Sequence, residues 1–322
     1  MDFHHVLLGF VEIVKETYKI FSNNGKLIPF ITLLFLLLHS IIFLSNFFAI
    51  RPFLKDLAVR LFSSLLAISS PTSTSSDFTK FFIVIKDDAG IIAGLEFIFL
   101  FSTSLASLFF AAATIIASAA TFGGKALYLK DLLSKVWKSW KRAFVTVFYI
   151  ALLDLGYSIF ALSFMIPIVL IMGIEYINLA TYITVIVASI FYGYLSIVWN
   201  LAIVVSVLEE KCGIESLGKA GRLVKGMKLE GFLLNLVFGI VYYSVFQFYR
   251  MINGNQSEAV IVIVALLYLD FLRLVKMFST VAYTVLYCKC KKSHGEEIEL
   301  QENFEYVKVP STNAPLTAAD IP

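Results

Sequence analysis

The sequence predicts an all-α integral membrane protein, a six-helix transmembrane bundle with amphipathic interfacial helices on its cytosolic side. Three observations carry this. Hydrophobic residues make up 59% of the 322 positions and charged residues 15%, where soluble domains have roughly 45–50% and about a quarter. The apolar residues gather into six runs, 27–50, 92–120, 143–174, 176–208, 231–249 and 259–288, each meeting the requirement of ~20 residues that a bilayer sets for a helix. The Lys and Arg outside these runs divide unevenly, 18 on the side that holds both termini and 6 on the other. Cytosolic loops carry the cationic excess, which puts both termini in the cytosol. Helices follow because backbone groups in lipid must be bonded internally, and the runs lack the alternation of a lipid-facing barrel strand.

Residues 1–26 form a cytosolic amphipathic segment with Val6, Leu7, Phe10, Ile13, Val14 and Phe21 on one face, which predicts a surface helix. The run that follows, LIPFITLLFLLLHSIIFLSNFFAI, exceeds a signal-peptide core and stands behind that charged segment, so it is expected to be retained as a span. Residues 51–91 read as a long outer loop. It holds one short helical stretch, FLKDLAVRLFSSLLAI, and then SSPTSTSS, whose composition marks a loop. The second span opens with Gly90 and Gly94 and continues through Ser104, Ser107, Ala111 and Ser118. Such small residues let helices approach closely, although they also merely tolerate lipid. The six spans make up a domain of residues 27–290, and the polar, proline-containing tail 291–322 is expected to be disordered.

Two cationic stretches lie between spans on the cytosolic side. In 123–142, Leu129, Leu132, Leu133, Val136, Trp137 and Trp140 recur at i, i+3, i+4, i+7, i+8 and i+11, while Lys130, Lys135, Lys138 and Lys141 take the opposite face. Indole beside ammonium suits a helix lying in the headgroup layer, and packing on other cytosolic parts is the alternative. In 214–228, Leu217, Ala220, Leu223, Val224 and Met227 oppose Lys219, Arg222 and Lys225. Its glycines each cost about 1 kcal/mol in a helix interior, so this helix must lean on the bundle or on lipid. A phosphate loop fits worse, because the hydroxyl of the Walker pattern is missing after Gly226 and after Lys125. The seven cations Lys130, Lys135, Lys138, Lys141, Lys219, Arg222 and Lys225 are the expected contacts to anionic headgroups.

The last span carries Asp270, Arg273 and Lys276 at i, i+3 and i+6, each charge costing about 2.5–3.5 kcal/mol at the bilayer centre on insertion scales. Asp270 and Arg273 can pair along the helix, and Lys276 can snorkel. The cluster would line a polar path, bind a headgroup or lock helices together. Asp154, Glu96 and Asn200 are the other intramembrane polar residues considered as its partners. Cys288 and Cys290, beside Lys289, Lys291 and Lys292, suit reversible palmitoylation or remain plain thiols. With Cys212 they make three cysteines, too few for a disulfide framework and expected to be reduced. His4 and His5 with Cys288 and Cys290 lack regular ligand spacing, so no metal is expected.

The segment VWNLAIVVSVLEEKCGIESLGKAGRLVKGM resembles a motif of a plant family of multi-pass membrane proteins of unassigned function. More distantly it is similar to bacterial membrane domains of the YciC group and those beside glycerophosphodiester phosphodiesterases. In those families a span ends at a Glu, a Gly-containing turn follows, and a short basic helix comes next. The matching positions are Glu209, Gly213, Leu217, Arg222, Leu223, Lys225 and Gly226. The plant resemblance extends to LGFVEIVKETYKIF, KVWKSWKRAFVTVFY and CKCKKSHGEEIE, with departures at the YCKCKK end of the last span and in the shorter ENFEYVKVPS tail. It implies a multi-pass fold and no activity. No hydrolase, metalloprotease or acyltransferase signature occurs, so a non-enzymatic protein without cofactor or nucleic-acid partner is expected. It would sit in a secretory-pathway or plasma membrane and organise anionic lipid or a protein partner. A transporter or channel using the last-span charges is the alternative, and a lipid-modifying enzyme a distant third.

Overall fold

The computed structural model describes residues 3–23, 27–68, 75–125, 127–172, 179–252 and 257–296. Among these it is all-helical: α1 (Phe3–Asn23), α2 (Leu27–Ile68), α3 (Ser75–Phe122), α4 (Leu129–Met172), α5 (Leu179–Leu208), α6 (Ile214–Leu223) running into a 3-10 turn at Val224–Gly226, α7 (Lys228–Ile252) and α8 (Glu258–Ser293). Five stretches are long and apolar enough to cross a membrane: Leu27–Ser63, Gly90–Phe122, Leu129–Phe164, Ile183–Leu208 and Lys228–Ile252. The run 259–288, inside α8, is not one of these five. Asp270, Arg273 and Lys276 interrupt it.

The helices are longer than the sequence suggested. With 42, 48 and 44 residues, α2, α3 and α4 extend for about 63, 72 and 66 Å at 1.5 Å per residue, against a hydrocarbon core of about 30 Å. The outer loop expected at 51–91 is therefore corrected. Residues 51–68 prolong α2 through Pro52, residues 75–91 begin α3, and most of SSPTSTSS lies outside the described residues. Arg51 on the extension of α2 forms an ion pair with Glu258 at the start of α8. The cationic stretch 129–142 is likewise the first third of α4, continuous with the span. It is not a separate helix but continues into a stretch long and apolar enough to cross a membrane.

The core occupies one end of the bundle, and α8 runs through its middle. From Met277 to Lys291 nearly every α8 residue is buried, including Val281, Ala282, Val285 and Leu286. Around this rod pack the Ala-rich end of α3, the end of α5, α6, the start of α7 and α1. The close helix contact expected of α3 comes from Ala112, Ala113, Ala117, Ser118, Ala119 and Ala120, all buried. Nothing lies within 4 Å of where a β-carbon on Gly90 or Gly94 would be, so the expected GxxxG contact is not made. At the opposite end the helices present Phe48, Phe97, Phe160, Ile186 and Phe248 outward, the side chains that lipid would cover.

Helix α1 belongs to the body. Val6, Ile13, Thr17 and Ile20 are buried against α7 and α8, and Glu12 pairs with Lys289 at 2.8 Å. Leu7, Val11 and Tyr18 stay exposed, so the apolar face read from the sequence is split between protein and surroundings. A relay ties the bundle centrally: the Tyr283 hydroxyl of α8 donates to Asn235 Oδ1 of α7, whose Nδ2 donates to the Gly193 carbonyl of α5 at 2.7 Å.

Candidate functional site

At the core end of the bundle, Glu209 follows α5 and is almost enclosed. Its Oε1 accepts the Tyr287 hydroxyl at 2.6 Å and lies 3.7 Å from Lys291 Nζ, while its Oε2 is 2.9 Å from Lys219 Nζ. Lys219 also reaches Glu296 Oε2 at 2.9 Å. Two ammonium groups and a phenol thus compensate a carboxylate that would be costly to bury alone. Burial of the Lys219 ammonium works against its charge, but hydrogen bonds to Glu209 and Glu296 outweigh it and hold the group above the ordinary lysine value. The hydrogen bond from Lys219 holds the Glu296 carboxyl below its ordinary range.

Local backbone places these groups. The turn between α5 and α6 rests on Gly213 at φ 57°, where a side chain would be strained. A β-carbon there would also meet the Tyr149 ring at 3.0 Å, and the Gly213 N–H donates to Thr146 Oγ1 of α4 at 2.9 Å. Helix α8 ends in a Schellman motif, with Gly295 at φ 70°, its N–H donating to the Lys292 carbonyl and that of Glu296 to Lys291, both at 3.1 Å. This reversal folds Glu296 back onto α6. Between these elements lies a cavity of about 370 Å³ lined by Lys211, Lys219, Arg222, Leu223, His294 and Glu296. Of the three cations read onto α6 as headgroup contacts, Lys219 is therefore taken up in ion pairs, while Arg222 and Lys225 are exposed.

The first turns of α4 divide into three sectors. Leu132, Val136, Ser139, Ala143 and Thr146 pack into the body, each at most 2% exposed. Leu129, Leu133 and Trp137 at i, i+4 and i+8 form an apolar stripe facing outward, Trp137 at 70% exposure. Lys130, Lys138 and Lys141 stand exposed on the third side, while Lys135 turns partly into the body. The single apolar face expected from the sequence is thus two faces. Trp137 lies against Trp140, ring centroids 6.0 Å apart, and Trp140 lies near Phe144.

The charges along α8 find local partners. The Ser40 hydroxyl of α2 is within hydrogen-bond distance of both Asp270 oxygens, at 3.1 and 3.2 Å, and Arg273 lies close enough for direct attraction to Asp270. Buried His39 sits in the field of Arg273. Lys276 is exposed along α8. Asp154 is hydrogen-bonded to Tyr192 across α4 and α5, Asn200 donates to its own helix at the Ser196 carbonyl, and Glu96 lines an outer cavity with Arg51 and Glu258. The considered partners of the last-span charges are thus engaged elsewhere, and Ser40 and His39 stand in their place.

Cys288 and Cys290 are both 0% exposed, and burial pushes the Cys290 thiol up to about 12. Neither sulfur offers a surface to an acyl chain, whereas Cys212 is exposed. Among the described residues no three His, Cys, Asp or Glu side chains gather as a metal site. Glu230 was absent from the sequence reading. It is 4% exposed, its Oε2 has no hydrogen-bond partner, and it sits where a β-carbon on Gly9 would be 3.3 Å from its Oε1.

A family model described as a domain of unknown function (DUF8558) matches residues 3–321. No curated protein matches the chain, and no solved structure matches it.

Proposed function

Since the chain belongs to the family of the domain of unknown function DUF8558, which brings no activity with it, we propose from its own residues that it is a non-enzymatic six-span membrane protein that gathers anionic lipid at its cytosolic face. Helix α8 serves as the sixth span. Its Asp270 and Arg273 neutralise each other and Asp270 is hydrogen-bonded to Ser40, which reduces the insertion penalty of the charges. With six spans both termini share the cationic side, and the cytosol is that side.

The observation that carries the reading is the outward stripe Leu129, Leu133 and Trp137 beside exposed Lys130, Lys138 and Lys141. From Trp140 to Phe164 α4 rises about 36 Å at 1.5 Å per residue, close to the thickness of the hydrocarbon core. That sets Trp137 and Trp140 at headgroup depth, where indoles concentrate. The neighbouring ammonium groups then meet phosphate, each contributing about 1 kcal/mol beside an anionic leaflet. Reconstitution with brominated lipids tests this. With Trp140 and Trp199 replaced by Phe, Trp137 should be quenched more by brominated phosphatidylserine than by brominated phosphatidylcholine. Equal quenching would remove the support.

A transporter is the second reading, and the observation favouring it is the polar group of His39, Ser40, Asp270 and Arg273 between α2 and α8. It predicts that Asp270→Asn abolishes flux while substitutions at Lys130, Lys138 and Lys141 are tolerated.

A further inference from the structure

The α6 cavity differs from the lysines of α4, because its cations line one shared recess instead of spreading along a helix. Lys211, Lys219, Arg222 and His294 line it together with Leu223 and one carboxylate, Glu296. Glu209 stays on Lys219 from behind, so once Glu296 is displaced three permanent cations, Lys211, Lys219 and Arg222, face one anion, and the site carries a net charge of +2 when His294 is neutral. His294 Nδ1 lies 2.8 Å from the Cys290 carbonyl, so this nitrogen carries the proton of the neutral ring and Nε2 is an acceptor that offers no proton to an anion.

The two carboxylates that hold Lys219 are unequal. Glu209 is 12% exposed and fixed from behind by Tyr287 and Lys291; it positions the ammonium. Glu296 is 44% exposed and its backbone is held by the terminal turn of α8. Exposed pairs of this kind contribute little to stability, about 0–1 kcal/mol, so the Glu296 carboxylate is displaceable. It occupies the place where an external anion would meet Lys219.

We propose that this cavity binds a phosphomonoester, with its oxygens on Lys211, Lys219 and Arg222 and with Glu296 as a built-in competitor that the ligand displaces. The charge fits: a phosphomonoester carries about −1.5 to −2 at neutral pH, which matches the surplus of the lining, whereas the single charge of a phosphodiester does not. Arg222 supplies planar, two-pronged recognition of phosphate oxygens. A cavity of about 370 Å³ admits a headgroup-sized molecule, at the low end of small-ligand sites. The phosphate can come from a lipid such as phosphatidic acid or from a soluble ester such as glycerol 3-phosphate. Because α6 follows a span directly, both sources have access.

The test uses the full chain in phosphatidylcholine nanodiscs, with binding followed by thermal-shift titration. One arm adds glycerol 3-phosphate to these discs; the other compares discs doped with phosphatidic acid against discs doped with phosphatidylserine. Stabilisation in either arm, with phosphatidic acid exceeding phosphatidylserine in the lipid arm, identifies the source. Arg222→Gln should weaken the bound arm about tenfold, the usual weight of a charge-assisted contact. Glu296→Gln should strengthen it about threefold, since it removes the competitor at an exposed position where folding is not at stake. Opposite effects of the two variants are the signature, because a merely structural role of the pair would make both weaken binding. Absence of binding in both arms, or a Glu296→Gln variant that binds no better than the native chain, overturns the proposal. Neither result bears on the quenching of Trp137, which lies on a different helix.

Discussion

Lys219 of α6 stands 2.9 Å from Glu209 beyond α5 and 2.9 Å from Glu296 beyond α8, so one ammonium group joins three elements at the end of the bundle. Lys219→Met leaves Glu209 with only Tyr287 and Lys291, and should lower stability by about 2–3 kcal/mol, near the lower limit for breaking a buried pair. The effect should depend on pH in two directions. Glu296 is depressed below its ordinary 4.5, so its share is present above that value and lost as pH falls through the lower folded one. Lys219 is raised above its ordinary 10.5, so its share is present below that value and lost as pH rises through the higher folded one. Unfolding midpoints of native chain and variant should therefore differ most across the neutral range and converge toward both extremes.

Gly213→Ala should destabilise by roughly 1–3 kcal/mol, the usual penalty for forcing a side chain into a left-handed backbone. The Tyr149 ring, 3.0 Å from the new carbon, adds to it. Thermal unfolding in detergent measures the loss, and Tyr149→Ala in the same background should recover the steric part but not the backbone part.

Cys212 is an exposed thiol in a chain whose other two cysteines are buried, and it reports the side of the membrane directly. An impermeant maleimide should leave sealed cells unlabelled and react at Cys212 after permeabilisation. Cysteines placed at exposed Ser134 and Glu215 should behave alike, whereas Ser216 is buried and unsuited as a probe. Labelling of intact cells would invert the topology.

Cys288 and Cys290 should carry no acyl chain. Both lie in the α8 core, and the thiolate that acylation requires is suppressed at Cys290. Acyl exchange on the native chain and on a Cys288→Ser, Cys290→Ser variant should give the same signal; a signal lost in the variant would mean that this end of α8 opens.

The sequence made the helical class legible because twenty-residue apolar runs have few physical solutions in lipid, and five of the expected spans lie within helices of the required length and hydropathy. It did not reveal where helices end. Nothing in residues 129–142 distinguishes a helix lying in the interface from the continuation of a span, since amphipathic periodicity is the same in both. The small-residue contact was assigned to Gly90 and Gly94 by spacing, yet close packing falls on the Ala-rich turns 112–120, where α8 crosses. Spacing says that backbones can approach, and tertiary position decides whether they do. Lys219 is expected from the sequence to contact headgroups because a helical projection sees its neighbours along α6 and not Glu209 or Glu296, which arrive from beyond other helices. The partner of Glu209 is equally remote in sequence, since Tyr287 arrives from 78 positions on.

Lipid selectivity tests the central claim most directly. The full chain, extracted with an equimolar mixture of phosphatidylserine and phosphatidylcholine and examined by native mass spectrometry, should retain phosphatidylserine in preference, and Lys130→Gln, Lys138→Gln, Lys141→Gln in one chain should remove that preference while leaving the unfolding midpoint unchanged. Equal retention of both lipids by the native chain, or an undiminished preference in the triple variant, would contradict a role for these lysines in gathering anionic lipid.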